Sequence, residues 1–346
     1  MSDGKSPGEL PYLTEAQEEY LRDREESKRY CNPFKSYLPQ IEKYWADLEQ
    51  PEASWDIRDL RASGKQFPYP FPVQGEDHRW RMETRYKVLD NTLLVGHQVF
   101  SHLISAYDFC GAYTFAKWRD APKCKEYFYL AAYCQEKLCH WPIEDPYQVT
   151  MNFVSIHRII QFMMAVIADA EEGFIRQLGE MLMLPEHNIG KPAARKHADT
   201  VGRTTIYLAY GDDKKARRAA EQLLAYEEKR KALKSQKNRP LTWTCYAQGA
   251  LAVLDGDEEG LDTALRGYVR ALRGTGKPVK DLAPYLCAHY AVFLAKMAVR
   301  RGMEVTVDTI DCPKELMTTV PTDYSYLDLP KPKDGFPWER KRYDGI

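Results

Sequence analysis

Three groups of side chains in this chain have the composition of a chemical site. Cys134, Cys139 and His140 fall within CQEKLCH, and thiol with imidazole is zinc chemistry. A zinc site takes two ligands separated by two to four residues and then a second such pair. Here the thiols are five apart, which on a helix turns them in different directions, and no second pair follows. His97 and His102 share that spacing, and neither a His-Glu-x-x-His nor a Glu-x-x-His element is present. His157 and His289 sit in apolar helical patterns and read as core histidines. The second group, RGTGKPVK (273–280), looks like the end of a phosphate loop. Ala271 stands where its first glycine belongs and Pro278 where its hydroxyl residue belongs, and no strand precedes it, so it reads as a linker. No Gly-x-Ser-x-Gly elbow occurs, and nothing marks one of the eight cysteines as a nucleophile. No metal, cofactor or catalytic residue is expected.

The third group suits binding rather than catalysis. Trp55, Asp56, Asp59, Glu76, Asp77 and Trp80 gather aromatic rings and carboxylates in one early, irregular stretch, the ingredients of a protein-binding hot spot. The alternative is that Trp55 and Trp80 pin that loop to the body. EEKRKALKSQKNRP (227–240) holds six cations without an interleaved aromatic, which reads as a solvated helix end more than a nucleic-acid site.

The elements that must carry these residues are helical. Thr14 and Gln17 form a capping box that opens a charged helix running to Tyr30. A second helix is expected from about Ser36 to Glu49, with Ile41, Tyr44, Trp45 and Leu48 on one face. Residues 50–78 read as irregular, with QFPYPFPVQG as extended loop, and residues 1–13 as disordered. From Trp80 to Lys117 the spacing of Leu89, Leu93, Leu94, His97 and Phe100 predicts one long helix or two nearly collinear ones. Beyond it the chain reads as stacked helical hairpins. LAYGDDKKARRAAEQLL (208–224) matches VLDGDEEGLDTALRGYV (253–269), each with a Gly-Asp turn and then an amphipathic helix. Turns near 120, 170, 212 and 257 recur at the length of one α-hairpin, although any antiparallel helical protein can show that rhythm without true repeats. A last helix, Asp281 to Arg301, is apolar nearly all round and should be central, with Gly302 closing it. MEVTVD (303–308) alternates and reads as a short extended arm, and the proline- and aromatic-rich tail should lie across the body. The fold class is therefore all-α, with 1–79 as N-terminal helices and loop, 80–317 as helical body and 318–346 as tail.

Composition narrows the function. Of the 346 residues 44% are hydrophobic and 29% charged, with a net charge of −1, which excludes a disordered chain and one that holds nucleic acid through bulk charge. That neutrality hides a polarity. Residues 1–173 carry 20 Lys and Arg against 27 Asp and Glu, while residues 174–346 carry 29 against 23. An acidic front suits electrostatic steering of a charged protein partner; an uneven scatter of solvated faces would look the same. MSDGKSPGELPYLTEAQ has no apolar core of a secretion signal, the apolar run Ile159–Ala168 is short of the ~20 residues that span a bilayer, and the cysteines are sparse. The expected setting is a reduced cytoplasm.

One stretch carries a resemblance. LTWTCYAQGALAVLDGDEEGLDTALRGYVRALRG (241–274) and APYLCAHYAVFLAKMAVRRGMEVTVDTIDCPKELM (283–317) resemble the C-terminal half of the immunity protein 49 family of bacterial polymorphic toxin systems. The matching parts are the turn at Leu254–Asp257, the helix Leu261–Leu272, the small-residue helix Ala288–Arg300, and the junction Arg301-Gly302-Met303-Glu304-Val305 leading to Pro313. The chain departs from that family by its first 80 or so residues and by its tail after Thr318. The resemblance implies a helical protein that binds and occludes a co-encoded toxin, such as a basic nuclease-type domain, without catalysis. It carries no binding residue over to this chain. The other readings are a helical-repeat scaffold or regulator that binds proteins, and a helical enzyme with an unrecognised site.

Overall fold

The computed structural model describes residues 10–22, 37–49, 67–74, 80–87, 91–140, 158–184, 192–231, 241–275, 286–327 and 329. Among them are twelve helices: α1 (Glu15–Arg22), α2 (Leu38–Glu49), α3 (Asn91–Trp118), α4 (Ala121–His140), α5 (Ile159–Ile167), α6 (Glu172–Met183), α7 (Pro192–Tyr210), α8 (Asp213–Lys231), α9 (Thr242–Asp255), α10 (Glu258–Thr275), α11 (His289–Arg300) and α12 (Lys314–Met317). The fold is all-α, with one two-stranded antiparallel ribbon ahead of α3, β1 (Phe67–Gln74) and β2 (Trp80–Lys87).

The stacked hairpins are present, and local chemistry explains where each one turns. Helices α3, α5, α7, α9 and α11 are each followed by a left-handed residue: Arg119 (φ 57°), Asp169 (φ 57°), Gly211 (φ 71°), Gly256 (φ 69°) and Gly302 (φ 78°). The next amide reaches back over the helix end at four of the five. Ala170 N–H donates to Ala165 O (3.1 Å), Asp212 N–H to Tyr207 O (3.0 Å), Asp257 N–H to Ala252 O (2.9 Å) and Met303 N–H to Ala298 O (3.0 Å). An aspartate then starts the returning helix at three of them. Asp120 Oδ1 accepts Lys123 N–H, Asp212 Oδ1 accepts Lys215 N–H and Asp257 Oδ1 accepts Gly260 N–H, at 2.9, 3.2 and 2.9 Å. At Gly256 a side chain would strain the turn, whereas Asp169 tolerates the same region with a short polar side chain.

Helices α5, α7, α9 and α11 form a closed inner ring, because α11 lies against α5 and α9 while α7 touches both of them as well. Helix α8 fits between α7 and α9, and α10 packs on α9 and α11. The ring is largely apolar where it is most enclosed. Phe162, Met163, Met164 and Val166 of α5 and Ala291, Val292, Phe293 and Leu294 of α11 are buried. Ion pairs show that the turns share one end of the molecule. Arg301 pairs with Asp213 (2.5 Å), Arg217 with Asp255, and Arg300 with Asp169 (3.4 Å), while Glu304 N–H donates to Glu258 (2.7 Å).

The N-terminal helices pack on α3. Trp45 Nε1–H donates to the Tyr107 hydroxyl (3.0 Å), and Tyr20 meets Tyr113 edge to face. The capping box forms, with Gln17 Oε1 accepting Thr14 N–H and Thr14 Oγ1 accepting Gln17 N–H. The arm after α11 alternates as expected, with Val305 and Val307 buried and Glu304, Thr306 and Asp308 exposed.

Four expectations are corrected. QFPYPFPVQG supplies a strand, not a loop, with Pro68, Pro70 and Pro72 opposite Tyr86, Thr84 and Met82. Residues from Trp80 to Lys87 form its partner, so the helix begins at Asn91 and not at Trp80. Residues 10–13 are ordered, because Ile310 N–H donates to Tyr12 O (3.0 Å) and Arg273 donates to Pro11 O (2.8 Å). The last ring helix starts at His289, with Leu286 to Ala288 outside any regular element ahead of it, where Ala288 N–H donates to Asp311 O (2.6 Å) instead of entering a helix.

Gly111 of α3 faces α4, where a Cβ would lie 2.8 Å from the Phe128 ring and 3.2 Å from Cys124 O. Gly274, near the end of α10, has open space around it. Urea denaturation should find Gly111→Ala destabilised by about 1–3 kcal/mol through overpacking. Gly274→Ala should be neutral or stabilising by about 0.5–1 kcal/mol, from backbone entropy alone.

Candidate functional site

The turn end is built around Asp169. Its left-handed backbone turns the carboxylate inward, where Oδ2 meets Lys125 Nζ of α4 and Oδ1 meets Lys296 Nζ of α11, both at 2.7 Å. Lys296 is fully buried. Its remaining protons go to Ile167 O (3.0 Å) and Thr318 O (3.1 Å), and Lys125 also donates to Thr318 O (3.0 Å). Burial alone would raise the Asp169 carboxyl, but Lys296 and Lys125 outweigh it and hold it below the usual range. Burial, reinforced by Lys125, pushes Lys296 down to about 7 against the pull of Asp169.

A second buried carboxylate, Asp311, fixes the N-terminal segment. It accepts Arg273 Nε–H (2.8 Å) and Nη2–H (3.0 Å), the Thr309 hydroxyl (2.6 Å) and the Gln17 amide (3.4 Å). The opposite end of the array holds Asp108 of α3, His289 and Cys287. Asp108 Oδ1 lies 3.0 Å from His289 Nε2, a close ion pair without hydrogen-bond alignment. Burial opposes the imidazolium, yet the Asp108 carboxylate beside it holds His289 well above its ordinary value. Burial pushes the Cys287 thiol up to about 11.

The surface of the turn end carries charges of both signs, with exposed carboxylates beside exposed cations such as Arg119, Lys214, Lys215 and Arg300. Glu171, Glu172, Asp213, Asp257, Glu258 and Glu259 are all exposed there. Each has a local reason, since carboxylates favour the first turn of the returning helices α6, α8 and α10. Some are neutralised by neighbours: Asp213 by Arg301 and Glu172 by Arg176. Glu171, Asp257 and Glu259 have no cationic partner among the described residues.

The residues expected from sequence fare unevenly. Trp55, Asp56, Asp59, Glu76 and Asp77 lie outside the described residues, and Trp80 opens β2 opposite Gln74. Cys134 and Cys139 are buried in α4, while His140 pairs with Glu136 (2.8 Å), so the three do not converge. Among the described residues no group of His, Cys, Asp and Glu could hold a metal ion. His102 stacks on Tyr44, and His157 lies outside the described residues. Seven cysteines are described, all buried and free. Helix α10 reaches Thr275, and the remainder of RGTGKPVK lies outside the described residues, as does 232–240 of the basic stretch. Sequence reasoning missed the Asp169 cluster, although a lysine inside HYAVFLAKMAVR is a visible signal that a buried partner must exist. Asp108 and His289 are far apart in sequence and gave no such sign.

Among the described residues no helix is long and apolar enough to cross a membrane. Comparison with family models, with curated proteins and with solved structures yields no match.

Asp169→Ala leaves two buried ammoniums without a counter-charge and should cost about 3–5 kcal/mol in urea denaturation. The signs of the pH dependence differ between partners. The folded pKa of Asp169 is lowered, so its contribution is complete above the ordinary carboxylate value and is lost as pH falls through the lowered one. Lys296 is lowered to about 7, so the unfolded chain binds the extra proton from there up to the ordinary lysine value. Stability should therefore rise with pH above 7, and Lys296→Met should flatten that rise in urea midpoints measured from pH 6 to 9.

Proposed function

We propose that this protein is an immunity-type binder that neutralises a co-encoded bacterial toxin in the cytoplasm by occluding it, without catalysis. The observation that carries this reading is the turn end, where a cross-linked helical array presents exposed carboxylates on its hairpin ends. Such a face suits a basic protein partner, because fixed charges steer its approach and cost little ordering on contact. The face draws on both halves of the chain, with Glu171 and Glu172 from the acidic front and Asp257 and Glu259 from the basic back. The resemblance to the immunity protein 49 family lends separate support, since residues 241–274 and 286–317 supply α9, α10, α11 and the arm of this array.

A helical enzyme is the reading that Cys287, His289 and Asp108 would favour. Burial of the thiol, with its pKa pushed up to about 11, keeps it protonated at neutral pH and weighs against a nucleophile there.

The test is genetic and then kinetic. Co-expression with the product of an adjacent toxin gene should rescue growth, and purified toxin should associate at least about tenfold faster at low salt than at 0.5 M. Absence of rescue, with both proteins soluble, would sink the reading. Glu171→Lys combined with Glu259→Lys should slow association without altering the melting temperature.

A further inference from the structure

Residues 318–327 cross the turn end as a strap, and its backbone is held by the buried ion cluster. Thr318 O accepts both lysine ammoniums, and Val320 N–H donates to Asp169 Oδ2 (3.3 Å). The Tyr324 hydroxyl donates to Ala168 O (2.7 Å), and its ring stacks on Tyr129 at 4.1 Å. A segment fixed in this way presents its outward side chains with little freedom. Two of them are apolar or aromatic and yet largely in solvent, Tyr326 at 64% and Val320 at 59% exposure. Tyr326 is positioned as well, its hydroxyl donating to Glu126 Oε2 (3.2 Å) and its ring 6.4 Å from Tyr324.

Carboxylates lie along the row of rings formed by Tyr129, Tyr324 and Tyr326. Glu171 and Asp323 are exposed, and beyond burial they contribute, after Glu136, to raising the Tyr129 phenol. After burial, Glu126 does the same to Tyr326. Glu126 is already paired with Lys123, but Glu171 and Asp323 have no cationic partner among the described residues. An electron-rich ring face with such carboxylates nearby attracts a guanidinium or ammonium and repels phosphate. An apolar occupant, such as a second copy of this strap, would bury those carboxylates without partners.

Resting on the toxin-binding reading, we propose that this strap face receives an arginine- or lysine-rich segment of the partner protein. Tyr326 is the aromatic anchor, and Glu171 and Asp323 take the flanking cations. Preorganisation by the ion cluster is what makes the exposed ring an effective contact.

A nona-arginine peptide serves as a probe that needs no toxin. Its binding, followed by calorimetry in 50 mM salt, should weaken about 2–5-fold in Tyr326→Ala. In Glu171→Gln/Asp323→Asn it should weaken further and lose part of its salt dependence. Melting temperatures close to that of the unaltered protein establish that both variants are folded. Equal peptide binding by the unaltered protein and both variants overturns the inference, and so does self-association of the protein alone that Tyr326→Ala abolishes. The toxin separates the two levels. If it binds the unaltered protein and Tyr326→Ala alike, the strap is not the contact and the toxin-binding reading stands. If it binds neither while the peptide still depends on Tyr326, the strap face holds as a cation-binding surface and the toxin-binding reading fails.

Discussion

Everything at the turn end of this molecule depends on one carboxylate shared by two buried ammoniums. Asp169 closes α5 in the left-handed region and so points its side chain back into the array, where Lys125 and Lys296 each approach to 2.7 Å. Two cations against one carboxylate would leave a buried charge in excess. The structure offsets it with main-chain carbonyls, Ile167 at the end of α5 and Thr318 after α12, which are the very groups a helix end or loop leaves without donors. One cluster therefore joins the inner ring, the outer helix α4 and the strap. Asp311 repeats the device at the α10–α11 side, tying the N-terminal segment to the arm through Arg273, Gln17 and Thr309. In both places a connection that lacks regular hydrogen bonding is held by a buried side-chain carboxylate, the kind of site where full satisfaction matters more than the strength of any one pair.

What could be read from the sequence was what local chemistry decides. Gly211-Asp212 and Gly256-Asp257 specify a left-handed residue followed by a helix cap, and those signals need no knowledge of the rest of the chain. The Thr14–Gln17 box and the alternation of Val305 and Val307 were legible for the same reason. Asp169 stood in the same rhythm, but its role was not legible, because its partners come from 44 and 127 positions away. Of the binding residues expected in the early loop, Trp55, Asp56, Asp59, Glu76 and Asp77 lie outside the described residues, and composition by itself carries no information about which exposed side chains a fold brings together.

The missed ribbon has a different cause. Prolines at 68, 70 and 72 argued against a strand, since each removes an amide donor. In a two-stranded antiparallel pair, however, every second amide points away from the partner. Prolines spaced two apart occupy a single phase, so they cost the pairing nothing when that phase faces outward, and they also block the free edge from recruiting another strand. The alternation in WRMETRYK is the compensating signal, and the apolar helical pattern that follows it masks it.

The charge of the turn face follows from the hairpin topology itself. The inner helices α5, α7, α9 and α11 all end there and present the negative ends of their dipoles, which attract cations inward. Lys296 answers that demand from within the array and Lys125 joins it from α4, while Arg300 reaches Asp169 from the surface. The returning helices α6, α8 and α10 begin there and present positive ends, which favour carboxylates at Glu172, Asp213, Glu258 and Glu259 on the outside. The two buried lysines and the outward carboxylates thus arise from the same requirement to satisfy helix ends, and neither needs a partner to explain its presence. A partner matched to this surface would exploit a field that the fold already produces, so its affinity would rest on what the helix ends do not account for, which at this face is the exposed, pinned ring of Tyr326.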